Sequence, residues 1–337
     1  MRPSQAVLSG TPVRLAELRF PARRVHVQRT RLAYIHLDNL LHFAKADRDA
    51  RVDGYIVAYL PDELAVVFLR EGEAITAVAF TERGRAVVPI PAVLDQIRDE
   101  VERGELAFCE APPAQLAWMY QSGAAPARPI PIPPTAPREV FTELKRQRYA
   151  GILELIVDGG VSYFGFVDGR VQTAFLCDSP DPTAVEAYLD RVLAPRSEGS
   201  RTVAASLFPS VETLVPQASP VLVEAYRDVF WRIAETAERE VPGEGHQRAL
   251  KVRDLLVSIH RPLAVLSTPR EAELAPAVLA PEAMAFGLSD WSLQLLEQLE
   301  IIAPGVAPTV LRDATRPHRY VLQRAGFYQR LPWPVSW

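Results

Sequence analysis

A stretch of 27 residues that occurs twice restricts the fold of this chain more than any other feature. The copies are Gly54–Phe80 and Gly151–Cys177. In each copy a second glycine, Gly72 or Gly169, lies eighteen residues after the first, so the two align without a gap. A repeat of this length predicts one structural unit used twice.

Each copy is predicted to contain three short strands joined by tight turns. The apolar runs are about six residues long and rich in Val, Ile, Tyr and Phe, which favours strands over helices. Their connections are too short for a parallel crossover, so the strands must form an antiparallel meander. The predicted strands are Tyr55–Leu60, Leu64–Leu69 and Ala74–Phe80 in the first copy, and Ile152–Val157, Val161–Val167 and Val171–Leu176 in the second.

The elements around the meander also repeat. A short helix is predicted before each copy, and a helix and a fourth strand after it, from helical apolar spacing and strand-like runs. Alternation at Val25 and Val27 further predicts a lead-in strand before the first copy. The flanking elements are the helix around Leu37–Ala44, the helix Pro91–Arg103 and the strand Glu105–Cys109, followed by the helices Val140–Arg146 and Thr183–Leu193 and the strand Thr202–Leu207.

These patterns predict an α+β fold with two tandem meander modules and a mostly helical C-terminal domain. The first module, with its N-terminal extension, is assigned to residues 1–122 and the second to 139–217. Between them, residues 123–138 are rich in proline, which favours an extended interdomain spacer over a proline-rich ligand.

Residues 218–337 change to helical periodicity. Apolar residues between Leu222 and Ala237 recur at helical spacing and predict one long helix. Three more helices are predicted at Ala249–Ile259, Glu271–Ala285 and Ser289–Ile302, with Ser289 as an N-cap.

Composition bounds the function classes. The chain has 337 residues, a net charge of −4 and 23% charged residues, which argues against a generally nucleic-acid-binding protein. Cys109 and Cys177 end apolar runs and are predicted to be buried thiols. The N-terminal residues contain no apolar core of signal-peptide length, and no run is long enough for a membrane helix, so we expect a cytoplasmic protein without membrane contact.

A search for catalytic motifs gives a negative result. The sequence contains no phosphate-binding loop, no GxGxxG after a strand, no CxxC, no HExxH and no GxSxG. His36 and His42 are six residues apart, which does not place them on one helical face. Asp158 and Asp168 fall in hairpin turns, where aspartate serves the backbone. We therefore predict no enzymatic activity, no cofactor and no metal.

Two groups of side chains are candidates for contact with a protein partner. Arg19, Arg23 and Arg24 lie in an Arg-rich N-terminal segment, although a solvated lead-in strand is the favoured explanation for them. Trp333 and Trp337 end an aromatic tail, which either packs against the helices or docks on a partner.

The repeated unit resembles the PATAN family, small bacterial α+β signalling modules often fused to receiver domains. The resemblance rests on LDNLLHFAK, on the glycine-opened strands DGYIVAY and AGILELI, on VVFLREGEAITAVA and YFGFVDGRVQTAF, and on ERGELAFCEA. It covers about residues 25–111 and 139–207. The first copy departs by carrying Glu71 before Gly72 where Asp-Gly is usual, and no receiver domain is present. The family brings no catalytic residues and implies interaction and regulation.

Three hypotheses about function follow. The first is a bacterial regulatory or scaffold protein acting through protein–protein interaction. The alternative is a small-molecule or nucleotide sensor with a pocket between the modules. A third is DNA binding through a winged-helix-like C-terminal region, which the near balance of acidic and basic residues from Val221 onward disfavours.

Overall fold

The chain divides into two compact units, Met1–Val215 and Pro216–Trp337. The computed structural model describes residues 5–8, 11–46, 51–132, 138–179, 185–194 and 202–337. A short hairpin of β1 and β2 opens the first unit. The strands are β1 (Gln5–Leu8), β2 (Thr11–Arg14), β3 (Arg24–Arg31), β4 (Gly54–Tyr59), β5 (Glu63–Arg70), β6 (Glu73–Thr81), β7 (Gly84–Val88), β8 (Glu105–Glu110), β9 (Arg128–Ile130), β10 (Gly151–Val157), β11 (Gly160–Val167), β12 (Arg170–Phe175) and β13 (Val203–Phe208).

The helices flank these strands and then fill the second unit. In the first unit they are α1 (Leu37–Ala46), α2 (Ile90–Asp99), α3 (Pro113–Ala124), α4 (Glu139–Arg146) and α5 (Val185–Val192). In the second unit they are α6 (Pro220–Glu240), α7 (Gly245–Leu256), α8 (Pro262–Leu266), α9 (Pro281–Ile302), α10 (Val306–Thr315) and α11 (Arg319–Arg324).

The two copies form two antiparallel sheets with the same strand order. Over the described part of the chain, the first sheet runs β3-β8-β4-β5-β6-β7 and the second runs β9-β13-β10-β11-β12. Strand for strand, β9 takes the place of β3 and β13 the place of β8, while β7 has no counterpart among the described strands of the second sheet. The predicted α+β fold of two tandem meanders and a helical C-terminal part is confirmed.

The repeated glycines are fixed by the same close approaches in both copies. Gly72 and Gly169 adopt φ of +76° and +72°, and a Cβ added to either would lie 2.7 Å from the Cα of Lys45 or Lys145. Residues with a side chain rarely adopt a positive φ, so both the backbone conformation and the close contact favour glycine at each position. The shared contact also sets α1 and α4 in register, with Lys45 equivalent to Lys145.

Helix α3 is central to the packing of the first unit. Its buried residues join one face of each sheet in a single core, while α1 and α2 cover the other face of the first sheet and α4 and α5 the other face of the second. A helix with sheets on both sides needs apolar residues all round. For that reason α3 shows no amphipathic periodicity, and the sequence patterns did not predict it.

Part of the segment predicted as a proline-rich spacer belongs to the second sheet. The three residues of β9 pair antiparallel with β13, Ile130 opposite Ala205 and Arg128 opposite Leu207. Residues 133–137 of that segment, and 183–184 of the helix predicted at Thr183–Leu193, lie outside the described residues.

The second unit is a bundle of helices around its own core. Trp291 of α9 is fully buried, stacks on Phe230 of α6 at 4.2 Å, and donates its indole N–H to the carbonyl of Ala249. Two helix predictions were wrong here. The helix predicted at Glu271–Ala285 begins only at Pro281, where proline fits the first turn, and it continues through Ser289 without a break. The Ser289 hydroxyl donates to the carbonyl of Ala285 and does not cap a helix.

No helix in the described residues combines the length and the apolar composition that crossing a bilayer requires.

Candidate functional site

A buried ion pair joins the two modules. Arg85, on β7, donates to both carboxylate oxygens of Glu154, on β10: Nη2 to Oε1 at 2.6 Å and Nη1 to Oε2 at 2.8 Å. The side chains are 9% and 1% exposed. A guanidinium that makes two parallel hydrogen bonds to one carboxylate forms a strong ion pair. Because the pair is buried, removing either side chain would leave the other charge without compensation.

The polar groups around this pair are also hydrogen-bonded. Arg85 Nη1 donates to the carbonyl of Ser122 on α3 at 3.1 Å, and the Ser122 hydroxyl lies 3.3 Å from the hydroxyl of Tyr163 on β11. Burial, with the nearby Glu154 carboxylate, raises the pKa of Tyr163 well above its usual value. Burial alone would lower the pKa of Arg85, but Glu154 raises it. Arg85 therefore stays charged and Tyr163 stays neutral.

Small residues allow α3 to lie directly on both sheets. Gly165 of β11 faces the indole of Trp118, and any Cβ there would overlap the ring. On the other side, Gly123 of α3 contacts Val78 of β6 in the same way. The distance between the two modules is thus set by glycine–side-chain contacts.

The segment between β2 and β3 is held between the modules by its main chain. The hydroxyl of Tyr59 donates to the carbonyl of Leu18 at 2.9 Å, and that of Tyr55 donates to Pro21 at 2.8 Å. From the second sheet, the amide of Val161 donates to the carbonyl of Arg19 at 2.8 Å. We call residues 18–23 the lead-in peptide.

The three arginines predicted as partner contacts lie on or beside the lead-in peptide. Arg19 forms an ion pair with Asp178 at 3.3 Å. Arg23, whose side chain is 74% exposed, forms an ion pair with Glu110 at 3.7 Å. Arg24 is exposed and begins β3. They do not form one patch around a common ligand, because Arg19 faces the second module and Arg23 faces β8.

The two tryptophans of the tail have different surroundings. Trp333 is half-buried and packs against the core of the second unit. Trp337 is 51% exposed, its ring meets Tyr328 at 5.7 Å, and the guanidinium of Arg319 lies 5.8 Å from it. The tail therefore packs at Trp333 and leaves Trp337 accessible.

Several cavities occur in the described part of the first unit. One of about 370 Å³ lies between the lead-in peptide, α3 and β12, beside Gln115 and Phe175. One of about 270 Å³ lies beside Arg19 and Cys177. A larger one, about 670 Å³, lies within the second module between β9 and α4. This larger cavity has the 300–1,000 Å³ volume of a ligand site together with an apolar floor and polar rim.

The cysteines and turn aspartates singled out in the sequence are placed as follows. Cys109 and Cys177 are buried free thiols, as predicted, and burial raises the pKa of Cys177 to about 12. Within the described ranges no three His, Cys, Asp or Glu side chains are grouped to hold a metal ion. Asp158 and Asp168 adopt φ of +49° in their turns, where glycine follows each.

An exposed apolar patch on the second unit was missed by the sequence reasoning. Leu255 and Ile259 are 69% and 71% exposed, and they lie four residues apart where α7 continues as a helical turn closed by the bond from the His260 amide to Leu256. His260 meets Phe286 of α9 at 5.1 Å, and Phe286 is half-exposed. We call Leu255, Ile259 and Phe286, which is joined to them through its contact with His260, the α7–α9 patch. The i, i+4 spacing of Leu255 and Ile259 is visible in the sequence, but only the packing shows that this face is left open.

Comparisons of this chain with protein-family models, with curated proteins and with solved structures found no match. The PATAN resemblance therefore stays a prediction, and the functional argument rests on the geometry described above.

Proposed function

We propose that this chain is a non-catalytic regulatory or scaffold protein that acts by binding another protein. The observation that carries the proposal is the α7–α9 patch, where three apolar side chains stay in contact with water beside a well-packed core. Leu255 and Ile259 are each about 70% exposed although the same helix buries Val252 and Leu256 completely. Contact of apolar surface with water is unfavourable in free energy, and a partner that covers this surface removes that cost.

The surroundings of the patch match the usual composition of an interface. Phe286 lies under the guanidinium of Arg330, 4.8 Å from the ring centroid, and Asp290 binds the imidazole of His260 at 2.8 Å. Protein interfaces combine an apolar centre, enriched in aromatic residues and arginine, with a polar rim. The partner face that complements it would be apolar with an acidic group near Arg330.

The first unit supports the same proposal in another way. Its buried charges and hydroxyls at the module interface already bind each other, which suits a rigid platform. A bacterial signalling role in the cytoplasm is part of the proposal and follows the sequence resemblance to PATAN modules.

Capture of partners by the intact chain tests this function. The tagged protein and the double variant Leu255→Asp, Ile259→Asp would be cross-linked in lysate of the source cells and the captured proteins identified. We expect one partner to be retained by the unchanged chain and lost by the variant. The control is Val221→Asp, which places an aspartate at an apolar residue 80% exposed in the first turn of α6.

Two results would contradict the proposal. One is an identical set of captured proteins for the unchanged chain and the double variant, with both folded by circular dichroism. The other is that no protein is captured by any of them. Light scattering on the purified chain separates binding of a second copy from binding of a different protein.

A further inference from the structure

The cavity of about 670 Å³ between β9 and α4 occupies a place that the first copy fills with aromatic rings. Its floor is Leu207 of β13, one wall is β9 and the other wall is α4. These three elements are the counterparts of β8, β3 and α1 in the first sheet. The first copy therefore shows which side chains fill this space when it is closed.

Residue-level equivalence follows from the sheet registers. Phe108 pairs with Ile56, two residues after Gly54, and Leu207 pairs with Leu153, two residues after Gly151. Phe108 and Leu207 are thus equivalent floor residues. Opposite them, Val27 pairs with Phe108 and Arg128 pairs with Leu207.

In the first copy a stack of rings fills this space. The imidazole of His26 stacks on Phe108 with centroids 5.0 Å apart, and Phe43 of α1 meets His26 at 5.9 Å and Phe108 at 6.4 Å. The His26 side chain is 7% exposed, so the rings close the gap between β3 and α1.

The second copy has replaced those rings with smaller or polar side chains. Phe43 lies two residues before Lys45, and the equivalent position two residues before Lys145 is Glu143. The floor ring Phe108 becomes Leu207, and the residue before Arg128 is Ala127, whereas the residue before Val27 is His26, at a register shift in β3. The result is an open space of about 670 Å³ with an apolar floor and polar rim.

Two carboxylates and one cation line the rim. Glu139 and Glu143 of α4 line the cavity with Thr142 and Gln147, and Arg128 is the cation among its lining residues. Arg146 is ion-paired with Glu143 at 2.6 Å, and hydrogen bonds from Arg146 and Gln147 lower the pKa of Glu143, so its carboxylate is ionised and already accepts hydrogen bonds from both side chains. A carboxylate accepts hydrogen bonds and cannot donate them, so such a rim selects a ligand with N–H donors.

We propose that the cavity between β9 and α4 binds a small planar aromatic molecule that carries an amino group. The ring replaces the ring stack of the first copy on the floor formed by Leu207, Val140 and Leu144, and the amino group donates to Glu139 and Glu143. This inference goes beyond the proposed protein–protein function and uses a different part of the molecule, so neither depends on the other.

Ligand-observed NMR on the intact chain tests the chemistry with three probes. Tyramine offers a ring and an ammonium, 4-hydroxyphenylacetate offers the same ring with a carboxylate, and butylamine offers an ammonium alone. We expect saturable tyramine binding with a Kd of about 1 mM or below, and at least about tenfold weaker binding of the other two.

Variants locate the site. Glu143→Phe with Leu207→Phe restores the equivalents of Phe43 and Phe108, two of the three rings of the first copy, and should abolish tyramine binding. Glu139→Gln with Glu143→Gln keeps the surface shape and should weaken binding about tenfold, which covers the case in which the ring-filled variant does not fold. The control Glu186→Gln, at an exposed carboxylate of α5 outside the cavity, should bind like the unchanged chain.

The proposal is overturned if tyramine does not bind, or if 4-hydroxyphenylacetate binds as tightly as tyramine. It is equally overturned if tyramine binds the Gln variant and the unchanged chain with the same Kd.

Discussion

Val57 and Glu154 occupy the same position in the two copies, three residues after the glycine that opens the central strand. In the first copy the side chain is apolar and lies in the shared core, and in the second it is a buried carboxylate. The partner of that carboxylate, Arg85, lies on β7, a strand found only in the first of the two described sheets. A second module placed against another second module would bring two carboxylates together without an arginine, so the buried charges favour the native pairing.

Removing either member of this pair should destabilise the first unit strongly. Glu154→Ala or Arg85→Ala leaves a buried charge without its partner, and such changes cost about 3–5 kcal/mol. The double variant Arg85→Met, Glu154→Leu should lie within about 1 kcal/mol of the unchanged chain or be more stable, because no charge is left to be solvated. Urea unfolding of the intact chain measures these free energies.

A surface pair gives the matched control for that experiment. Arg98 bonds Asp38 at 3.0 Å, but its side chain is 46% exposed, so Arg98→Ala should change the free energy of unfolding by less than about 1 kcal/mol. If Arg98→Ala and Arg85→Ala lowered the free energy of unfolding equally, burial would not strengthen the interaction of Arg85 with Glu154.

The contact of Gly165 with Trp118 predicts that a loss of stability caused by a side chain at position 165 is reduced when the indole ring is removed. Gly165→Ala places a methyl group against the indole ring, and overpacking of this kind costs about 1–3 kcal/mol. Trp118→Leu removes the ring that the methyl group meets, so the alanine should cost less in that background. A double-mutant cycle measures the coupling, and additive effects would mean that the two side chains do not interact.

The equivalence of Gly72 and Gly169 predicts similar penalties in the two copies. Each residue has positive φ, and a methyl group added to either would collide with the last turns of α1 or α4. Gly72→Ala and Gly169→Ala should each lower the free energy of unfolding by about 2 kcal/mol or more. Gly84 is the control, since it has φ of +120° with no atom within 4 Å of an added Cβ, and Gly84→Ala should cost less than either. A larger loss at Gly84 would contradict this explanation.

Cys177 should be nearly inert to thiol reagents in the folded chain. Its pKa is raised by burial to about 12 from 9.0, which at pH 8 lowers the thiolate fraction about a thousandfold. The rate of reaction with iodoacetamide, measured in a Cys109→Ala background in buffer and in urea, checks this. Rates within tenfold of each other would contradict it.

The same shift predicts a loss of stability in alkali. Between about pH 9 and 12 the folded chain keeps a proton on Cys177 that the unfolded chain releases, so folding becomes less favourable as the pH rises. Below pH 9 both states hold the proton and this contribution to stability is complete. Cys177→Ala should make the free energy of unfolding of the first unit less dependent on pH in this window, while titration of Tyr59, whose pKa is also raised to about 12 by burial, remains.

Much of the first unit could be predicted from sequence because its signals are local. Strand composition, short turns and paired glycines all act within a few residues, and the structure has the predicted meanders with no strand end shifted by more than one position. Helix α3 carried no such signal, since a helix buried on all sides lacks a polar face. Ser289 was taken for an N-cap because a serine before an apolar run fits that role, although its hydroxyl can also bond the preceding turn within a helix.

The functional features depend on packing between distant segments and were harder to predict. Glu154 interrupts an apolar strand in the sequence, but its partner Arg85 is identified only when the two modules are placed together. The cavity exists because the second copy lacks the aromatic rings of the first, and the registers of β8 and β13 are needed to identify the equivalent positions. Leu255 and Ile259 fit a buried helix face equally well, and their exposure is a result of the tertiary structure.

The bonds that hold the lead-in peptide have a consequence for the order in which the chain can fold during synthesis. The thiol of Cys177 donates to the carbonyl of Arg19 across 158 positions of sequence. At roughly 5–20 residues per second, a ribosome needs about 8–30 s to add those residues. The lead-in peptide, although made before both modules, can be held from both sides only after the second module has emerged, and until then the hydroxyls of Tyr55 and Tyr59 hold it from the first module alone.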